Sequence, residues 1–191
     1  DDDGNGFVDD VHGVTVVGDQ WSHSGDPLDD NGHGTHVAGI VAATPDNGVG
    51  ITGVAPSVKI MAVKAAQYSG ILTSTDIAEG IYYAYEQGAD VINMSFGGTG
   101  RSLLEEEALA VAFGNAVLVA SAGNQGFQNQ PCYRLPVQTI YPAAYTYVLG
   151  VMAQAPASNS DGDWLAGFSN WDCKAQNGIE YDLMAPGVDV L

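Results

Sequence analysis

Apolar strands and amphipathic helices alternate along most of the chain. Hydrophobic positions at helical spacing predict two helices, over residues 73–87 and 102–113. Nearly continuous apolar runs predict strands around them, at residues 58–65, 90–95, 116–122 and 148–153. This alternation predicts an α/β fold with a mostly parallel sheet and helices on both of its faces. No repeat or domain boundary interrupts the pattern, so we expect a single domain over residues 1–191.

Local signals mark the ends of both helices. Thr73 stands three residues before Asp76, the spacing at which a side chain caps the start of a helix. Ser102 has the same relation to Glu105. Gly88 follows the first helix, where a glycine commonly ends one. These residues therefore predict where each helix begins and where the first one stops.

A histidine stands at the start of a third, apolar helix made of small residues. The helix is predicted within residues 31–43, and His33 opens it between Gly32 and Gly34, which let the backbone turn tightly. Its small residues would let the helix pack very close to a sheet. Histidine titrates nearest neutrality among the side chains, so His33 is a candidate general base. His36, one turn later, is expected to be a hydrogen-bonded histidine on the helix face.

Two glycine-rich segments follow predicted strands. Residues 95–98 come directly after one strand, and residues 123–126 come after the next. In open parallel sheets, ligands bind beyond the carboxyl ends of the strands. Glycines there would leave room for a peptide or another ligand, although Gly and Asn are also ordinary turn residues.

The composition is strongly acidic. The formal net charge is -18, from 23 Asp plus Glu against 5 Lys plus Arg, which argues against nucleic acid as a partner. Bound calcium or a salty environment would explain such a surface equally well. No apolar run is long enough for a membrane span. Cys132 and Cys173 lie far apart in the sequence, and either one disulfide or two free thiols is consistent with that spacing.

The first ten residues begin like a calcium-binding loop. Oxygen ligands stand at alternate positions, Asp1, Asp3 and Asn5. His12 occupies the position where such a loop has its bidentate Glu, so we expect a smaller site closed by Asp9 or Asp10. A solvated acidic turn without an ion is the alternative.

Four motifs occur in an order that resembles the subtilisin-like serine peptidases. They are HGTHVAGIVAA, VINMSFGG, ASAGNQG and LMAPGVDV, at residues 33–43, 91–98, 120–126 and 183–190. The resemblance implies that His33 is the imidazole of an Asp/His/Ser triad. It also implies that the Asn124 amide donates to the oxyanion of the tetrahedral intermediate.

The same resemblance assigns substrate and calcium contacts. Ser95, Phe96 and Gly97 match the strand end that binds the peptide backbone, although Phe96 could instead be a core aromatic. Gly70 begins a second segment that would bind substrate as an added strand. A further calcium loop is implied, with the ligands Asn47, Val49 and Ile51. The Tyr141-Pro142 bond matches a family position that is cis.

The resemblance implies a secreted endopeptidase that acts on proteins or peptides, a monomer made with a propeptide. No apolar strand followed by Asp-Ser-Gly or Asp-Thr-Gly precedes His33, and no Gly-Thr-Ser-Met segment follows Asn124. We therefore expect a fragment truncated at both ends, lacking the triad Asp and Ser and inactive alone. One alternative is a non-catalytic, calcium-stabilised extracellular module on the same scaffold. Another is a metal-dependent hydrolase that uses His33 and His36.

Overall fold

The computed structural model describes residues 4, 7, 10–18, 25–126, 139–156, 165–171 and 181–188. They fall into two compact units, one formed by Asp1–Ala89 with Leu191 and the other by Asp90–Val190. Each unit combines helices with parallel strands, so the predicted α/β class is confirmed. The single domain over residues 1–191 stays a prediction. No helix within the described ranges is long and apolar enough to cross a membrane.

The described residues of the first unit form two short strands and two helices. In chain order they are β1 (Gly13–Thr15), α1 (His33–Ala42), β2 (Ala62–Lys64) and α2 (Ser74–Glu86). β1 pairs in parallel with β2, with Val14 opposite Val63. Val14 and Val16 are fully buried and form a core with Tyr83, whose ring contacts Phe7 edge-on. This small core fixes the sheet against the C-terminal half of α2.

The hydrophobic pattern does not predict β1, and the predicted strand 58–65 is longer than β2. A three-residue strand has no periodicity of its own, and β1 exists because its residues pair with β2 across 49 positions. Gly13 lies so close to Ala62 that a Cβ at position 13 would overlap the Ala62 carbonyl oxygen. Of the predicted strand 58–65, the first residues stay outside the pairing, with Val58 and Ile60 about half exposed.

The predicted boundaries of α2 are confirmed. Thr73 Oγ1 accepts a hydrogen bond from the Asp76 amide, at 3.1 Å. The apolar face of the helix buries Ala78, Ile81 and Ala84. Gly88 follows the helix with a φ of 76°, and its amide donates to the Tyr85 carbonyl oxygen. The cap at one end and the glycine at the other therefore set the length of this helix, as the sequence predicts.

The second unit is built on a parallel four-stranded sheet. Its elements are β3 (Val91–Met94), α3 (Leu103–Ala112), β4 (Val117–Ser121), β5 (Leu149–Gln154) and β6 (Leu183–Pro186). The strand order follows the chain, β3-β4-β5-β6. The predicted cap of α3 is confirmed, since Ser102 Oγ accepts from the Glu105 amide at 3.4 Å.

Burial alternates along the strands of this sheet. Met94, Leu118 and Ala120 point to the buried face, and Val91 and Val117 on the other face are about half exposed. The apolar run at 90–95 therefore does not have both faces covered by the described residues, contrary to the sequence expectation. A continuous run of apolar residues does not distinguish one covered face from two.

Candidate functional site

The residues with candidate chemistry lie in turns at the ends of regular elements. His33 is the first residue of α1 in the first unit, and its side chain is exposed. Asn124 lies three residues beyond β4 in the second unit and is also exposed.

The carboxylate of Asp29 organises the turn that presents His33. Asp29 Oδ1 accepts hydrogen bonds from the amides of Asn31 and Gly32, at 2.9 and 2.8 Å. Asp29 Oδ2 accepts from the Thr35 amide and hydroxyl, at 2.8 and 2.7 Å. Gly32, the N-cap residue, has no side chain and adopts a φ of 94°. Asp29 therefore supplies the acceptors that the N-terminus of α1 requires.

These contacts also stabilise the ionised form of Asp29. The hydrogen bond from the Thr35 hydroxyl, followed by those from the backbone amides, holds the pKa of Asp29 far below its ordinary value. A negative charge at this end of a helix also interacts favourably with the helix dipole. The turn before His33 is thus organised around a permanent negative charge at neutral pH.

The same segment is fastened to β2 on either side of Asp29. Lys64 Nζ, at the end of β2, donates to the Leu28 carbonyl oxygen at 3.0 Å. It also forms an ion pair with Asp30 Oδ2, at 2.7 Å. Asn31 Nδ2 donates to the Tyr68 carbonyl oxygen at 3.1 Å. The turn is therefore connected to the sheet of the first unit by polar contacts.

Helix α1 is only partly buried, with residues 33–36 exposed and residues 37–42 of intermediate exposure. None of its ten residues is buried by the described part of the chain. The expected close approach of the helix to a sheet is therefore not seen there. The close backbone contact is at the C-terminal end of the helix, where the amides of Gly53, Val54 and Ala55 donate to carbonyls of the last turn. His36 is exposed and its ring makes no hydrogen bond to a described residue, contrary to the expectation from sequence.

The two glycine-rich segments leave the same edge of the second sheet. Ser95 follows the last residue of β3, and Met94 is paired with Ala120 near the end of β4. Because β3 and β4 are parallel neighbours, the segments 95–98 and 123–126 both continue from carboxyl ends, as the sequence predicts. This is the edge where an open parallel sheet places its ligands.

Asn170 holds the turn that carries Asn124. Its backbone amide donates to the Gly123 carbonyl oxygen, and its side-chain Nδ2 donates to the Ala122 carbonyl oxygen, both at 2.9 Å. Nδ2 also contacts Gln125 Oε1 at 2.9 Å. Asn170 is buried, and its Oδ1 has no hydrogen-bond partner within the described ranges. A single neutral amide thus connects the residues on both sides of Asn124.

The segment assigned to substrate binding runs beside Tyr141. Gly98 and Tyr141 exchange two backbone hydrogen bonds, at 2.9 and 2.8 Å. A Cβ at Gly97 would lie 2.6 Å from Ile140 Cγ2. Phe96 and Ser95 are half-buried, so Phe96 is not part of the buried core. The Tyr141-Pro142 bond is cis, as the resemblance implies.

Gly70 lies in an exposed turn of the first unit. It has a φ of 81°, and its amide donates to the Gln67 carbonyl oxygen at 2.8 Å. The amide of Gln67 in turn donates to the Ile71 carbonyl oxygen. The turn is closed by these two bonds, and its role toward substrate stays a prediction.

The calcium ligands expected near the N-terminus lie outside the described residues. These are Asp1, Asp3, Asn5 and Asp9. In the second expected loop, Asn47 Oδ1 accepts from the Val49 amide at 2.9 Å and keeps a second lone pair. Its donor type, oxygen, is the one calcium prefers. The described ranges contain no group of three acidic, His or Cys residues that could hold a metal ion. Cys132 and Cys173 also lie outside the described ranges.

The sequence motifs do not include two residues that support these turns, Asp29 in the first unit and Asn170 in the second. The hydrogen bonds of Asp29 reach only two, three and six residues ahead. An Asp shortly before a glycine and a helix is a recognisable local capping pattern. Asn170 contacts residues 45 and 48 positions earlier, and no local pattern identifies such a contact.

Comparison with known proteins gives one consistent family. A family model described as the Subtilase family matches residues 1–190. "Thermophilic serine proteinase" of Bacillus sp. (strain AK1) is 40% identical over 184 residues, covering 95% of this chain and 41% of that protein. "Subtilisin DY" of Bacillus licheniformis is 42% identical over 181 residues, covering 93% and 60%.

A solved structure agrees with the sequence relatives. The structure of "Sphericase" superimposes with a TM-score of 0.77 at 29% identity, covering 91% of this chain and 58% of that chain. This chain therefore spans about half the length of the proteins it resembles. The family model, the sequence relatives and the shared fold together show that the chain belongs to the subtilase family of serine peptidases.

Proposed function

We propose that this chain is the part of a serine endopeptidase that carries the general base and an oxyanion donor. The observation that carries the proposal is the exposed imidazole of His33 on a turn fixed by four hydrogen bonds to Asp29. A general base must be accessible to substrate and must keep its position through the reaction. The family of the chain supports the same assignment.

His33 would handle the proton, and Asn124 would stabilise charge. In the triad mechanism, the imidazole takes a proton from the serine hydroxyl as that oxygen attacks the carbonyl carbon. It later gives the proton to the leaving amine. The Asn124 side-chain amide would donate a hydrogen bond to the oxyanion formed in between. Its exposed position beyond β4 supports this role.

We propose that the triad acid and nucleophile come from sequence outside these 191 residues. The chain has no Asp-Ser-Gly or Asp-Thr-Gly before His33 and no Gly-Thr-Ser after Asn124. It also spans 41% and 60% of the two relatives described above. The chain by itself would then lack hydrolytic activity, whereas the protein that contains both motifs would cleave peptide bonds.

The experiment compares two histidines in that longer protein. We expect His33→Ala to lower kcat by about 10⁴–10⁶, because the proton acceptor is lost. Asn124→Ala should lower it by about 10²–10³. His36→Ala is the matched control, one helical turn away and equally exposed, and should keep the parent rate.

The alternatives give different results in the same experiment. A metal-dependent hydrolase would lose activity in His36→Ala and with a zinc chelator, and would not react with a fluorophosphonate serine probe. A non-catalytic module would neither react with the probe nor cleave peptides. Either pattern would overturn the peptidase proposal.

The substrate is proposed to be an extended peptide bound along residues 95–97, with Gly70 in a second contact segment. The segment 95–97 continues β3 at the sheet edge where ligands bind, which supports this placement. We further propose a secreted monomer made with a propeptide, in line with the family resemblance. Secretion would be tested by recovering the mature protein from the culture medium of the producing cells.

Calcium is proposed as a stabilising ion, with Asn47, Val49 and Ile51 among its ligands. The oxygen donors of this exposed loop and the net charge of -18 support the proposal. An ion bound only to the native state raises the melting temperature by mass action. Excess EGTA should therefore lower the melting temperature of the longer protein, and an unchanged melt would remove calcium from the proposal.

A further inference from the structure

We propose that Asp29 is a positioning residue that fixes the orientation of the His33 imidazole. The inference rests on the proposed function, since it deepens the role of His33 as general base. The hydrogen bonds of Asp29 go to the backbone amides of Asn31, Gly32 and Thr35 and to the Thr35 hydroxyl. Asp29 acts on the backbone before and after His33 through both of its carboxylate oxygens.

The two carboxylate oxygens of Asp29 bind the backbone on opposite sides of His33. Oδ1 binds the amides of Asn31 and Gly32, the two residues before His33. Oδ2 binds the amide and hydroxyl of Thr35, two residues after it. One rigid, planar group therefore fixes the backbone on both sides of His33. The direction of the Cα–Cβ bond of His33 follows from that backbone.

Other contacts in the first unit do not replace this support. Helix α1 has no residue buried by the described part of the chain, so packing does not hold its start in place. The Lys64 and Tyr68 contacts fasten residues 28, 30 and 31 to β2 and the turn after it. The helix bond from the His36 amide to the Gly32 carbonyl oxygen also spans His33, at 3.1 Å, but it does not reach residues 28–31. The Asp29 carboxylate connects that segment with Thr35, beyond the histidine.

The test uses two neighbouring aspartates in the longer, active protein. Asp29→Asn retains an oxygen for Asn31 and Gly32 but places an NH2 group where the Thr35 amide needs an acceptor. We expect kcat to fall by roughly 10- to 10²-fold with KM nearly unchanged, because a small misplacement of a catalytic group slows chemistry more than binding. Asp30→Asn is the control and makes the same charge change at the neighbouring residue. It should keep the parent kcat, because Lys64 retains its bond to Leu28.

A second variant guards against loss of folding. Thr35→Val removes only the hydroxyl bond to Asp29 and keeps the amide bond. It should lower kcat less than Asp29→Asn does, again with little change in KM. The folded fraction of every variant is measured by circular dichroism at the assay temperature, and kcat is expressed per folded molecule.

The outcomes separate this inference from the proposed function. If His33→Ala abolishes activity but Asp29→Asn matches Asp30→Asn in kcat per folded molecule, Asp29 is only a structural cap and the inference is wrong. If His33→Ala leaves activity intact, the proposed function is wrong, and the inference that rests on it is wrong as well. A reduced kcat in Asp29→Asn and Thr35→Val, with normal values for Asp30→Asn, supports both.

Discussion

The turns that carry His33 and Asn124 present exposed polar side chains by different means. The His33 turn is organised by one ionised carboxylate and belongs to a helix that the described residues do not bury. The Asn124 turn is organised by a buried neutral amide, that of Asn170. The first support depends on charge, whereas the second depends on close packing and shape. The two turns should therefore fail under different perturbations.

The glycines in the two turns show the same contrast. A Cβ at Gly123 would lie 2.7 Å from Asn170 Nδ2 and 3.1 Å from Ile140 Cγ1, and the residue has a φ of 100°. A Cβ at Gly34 would meet only Asp29 Oδ2, at the ordinary distance of 3.6 Å. Added volume is thus excluded from one turn and accepted by the other.

The largest effect is expected for Gly123→Ala. A strained left-handed residue costs about 1–3 kcal/mol, and forced overpacking costs about 1–3 kcal/mol. We expect the free energy of unfolding of the second unit to fall by roughly 2–6 kcal/mol, measured by urea denaturation. Gly114→Ala, with open space around it, is the control in the same unit. Equal stability for Gly123→Ala and Gly114→Ala would contradict the packing argument.

Asn170→Ala should have the next largest effect. It leaves the carbonyl oxygen of buried Ala122 without its Asn170 donor, which costs about 1–3 kcal/mol. Asn93, exposed and bonded to Ser95 Oγ, provides the matched Asn→Ala control, with an expected change within about 0.5 kcal/mol. The decrease in the free energy of unfolding caused by Asn170→Ala should not vary between pH 3 and pH 7, roughly the range in which carboxylates titrate.

Asp29→Ala should have a smaller effect that disappears in acid. Removing a helix cap costs about 0.5–2 kcal/mol, and solvent screening of this half-exposed group keeps the value low. The pKa of Asp29 is lower in the folded chain than in the unfolded chain. Its stabilisation is therefore complete above the unfolded value of about 3.9 and is lost as the pH falls further.

Urea denaturation of the parent chain and Asp29→Ala at several pH values measures this effect. The difference in the free energy of unfolding between the two chains should be constant near neutrality and should become smaller below about pH 4. A difference that stays the same, or widens, in acid would mean that the charge of Asp29 does not support the turn.

The smallest effect is expected for the ion pair between Asp30 and Lys64. Partly exposed pairs contribute about 0–1 kcal/mol, and Asp30→Asn should fall in that range. Added salt should reduce the difference in the free energy of unfolding between Asp30→Asn and the parent chain, because salt screens exposed charges. A salt-independent loss would show that the contact acts through packing. The same salt series should leave Asn170→Ala unaffected, which sharpens the contrast between the two turns.

Local signals in the sequence were sufficient for much of the fold. The caps Thr73 and Ser102 sit where the spacing predicts, because a cap bonds to a residue only three positions away. β1 was missed because its existence depends on pairing with β2, far along the chain. Sequence alone also does not show whether helix α1 packs against a sheet, since small apolar residues are compatible with either outcome.

The candidate functional residues show the same difference between local signals and long-range contacts. The chemistry of His33 and Asn124 follows from motifs, and both residues are exposed, one at the start of α1 and the other beyond β4. Their supports differ in sequence separation. The bonds of Asp29 are local, whereas Asn170 reaches its turn only through the folded sheet.

The crowding of Gly13 against Ala62 limits how the first unit can misfold. A slip of β1 by one residue along β2 would bring Val14 to the place where even a methyl group overlaps a carbonyl oxygen. It would also turn Val14 and Val16 away from Tyr83, because side chains alternate along a strand. Gly13 thus favours the observed pairing register of a strand of only three residues. A library randomised at position 13 should return glycine alone among folded clones.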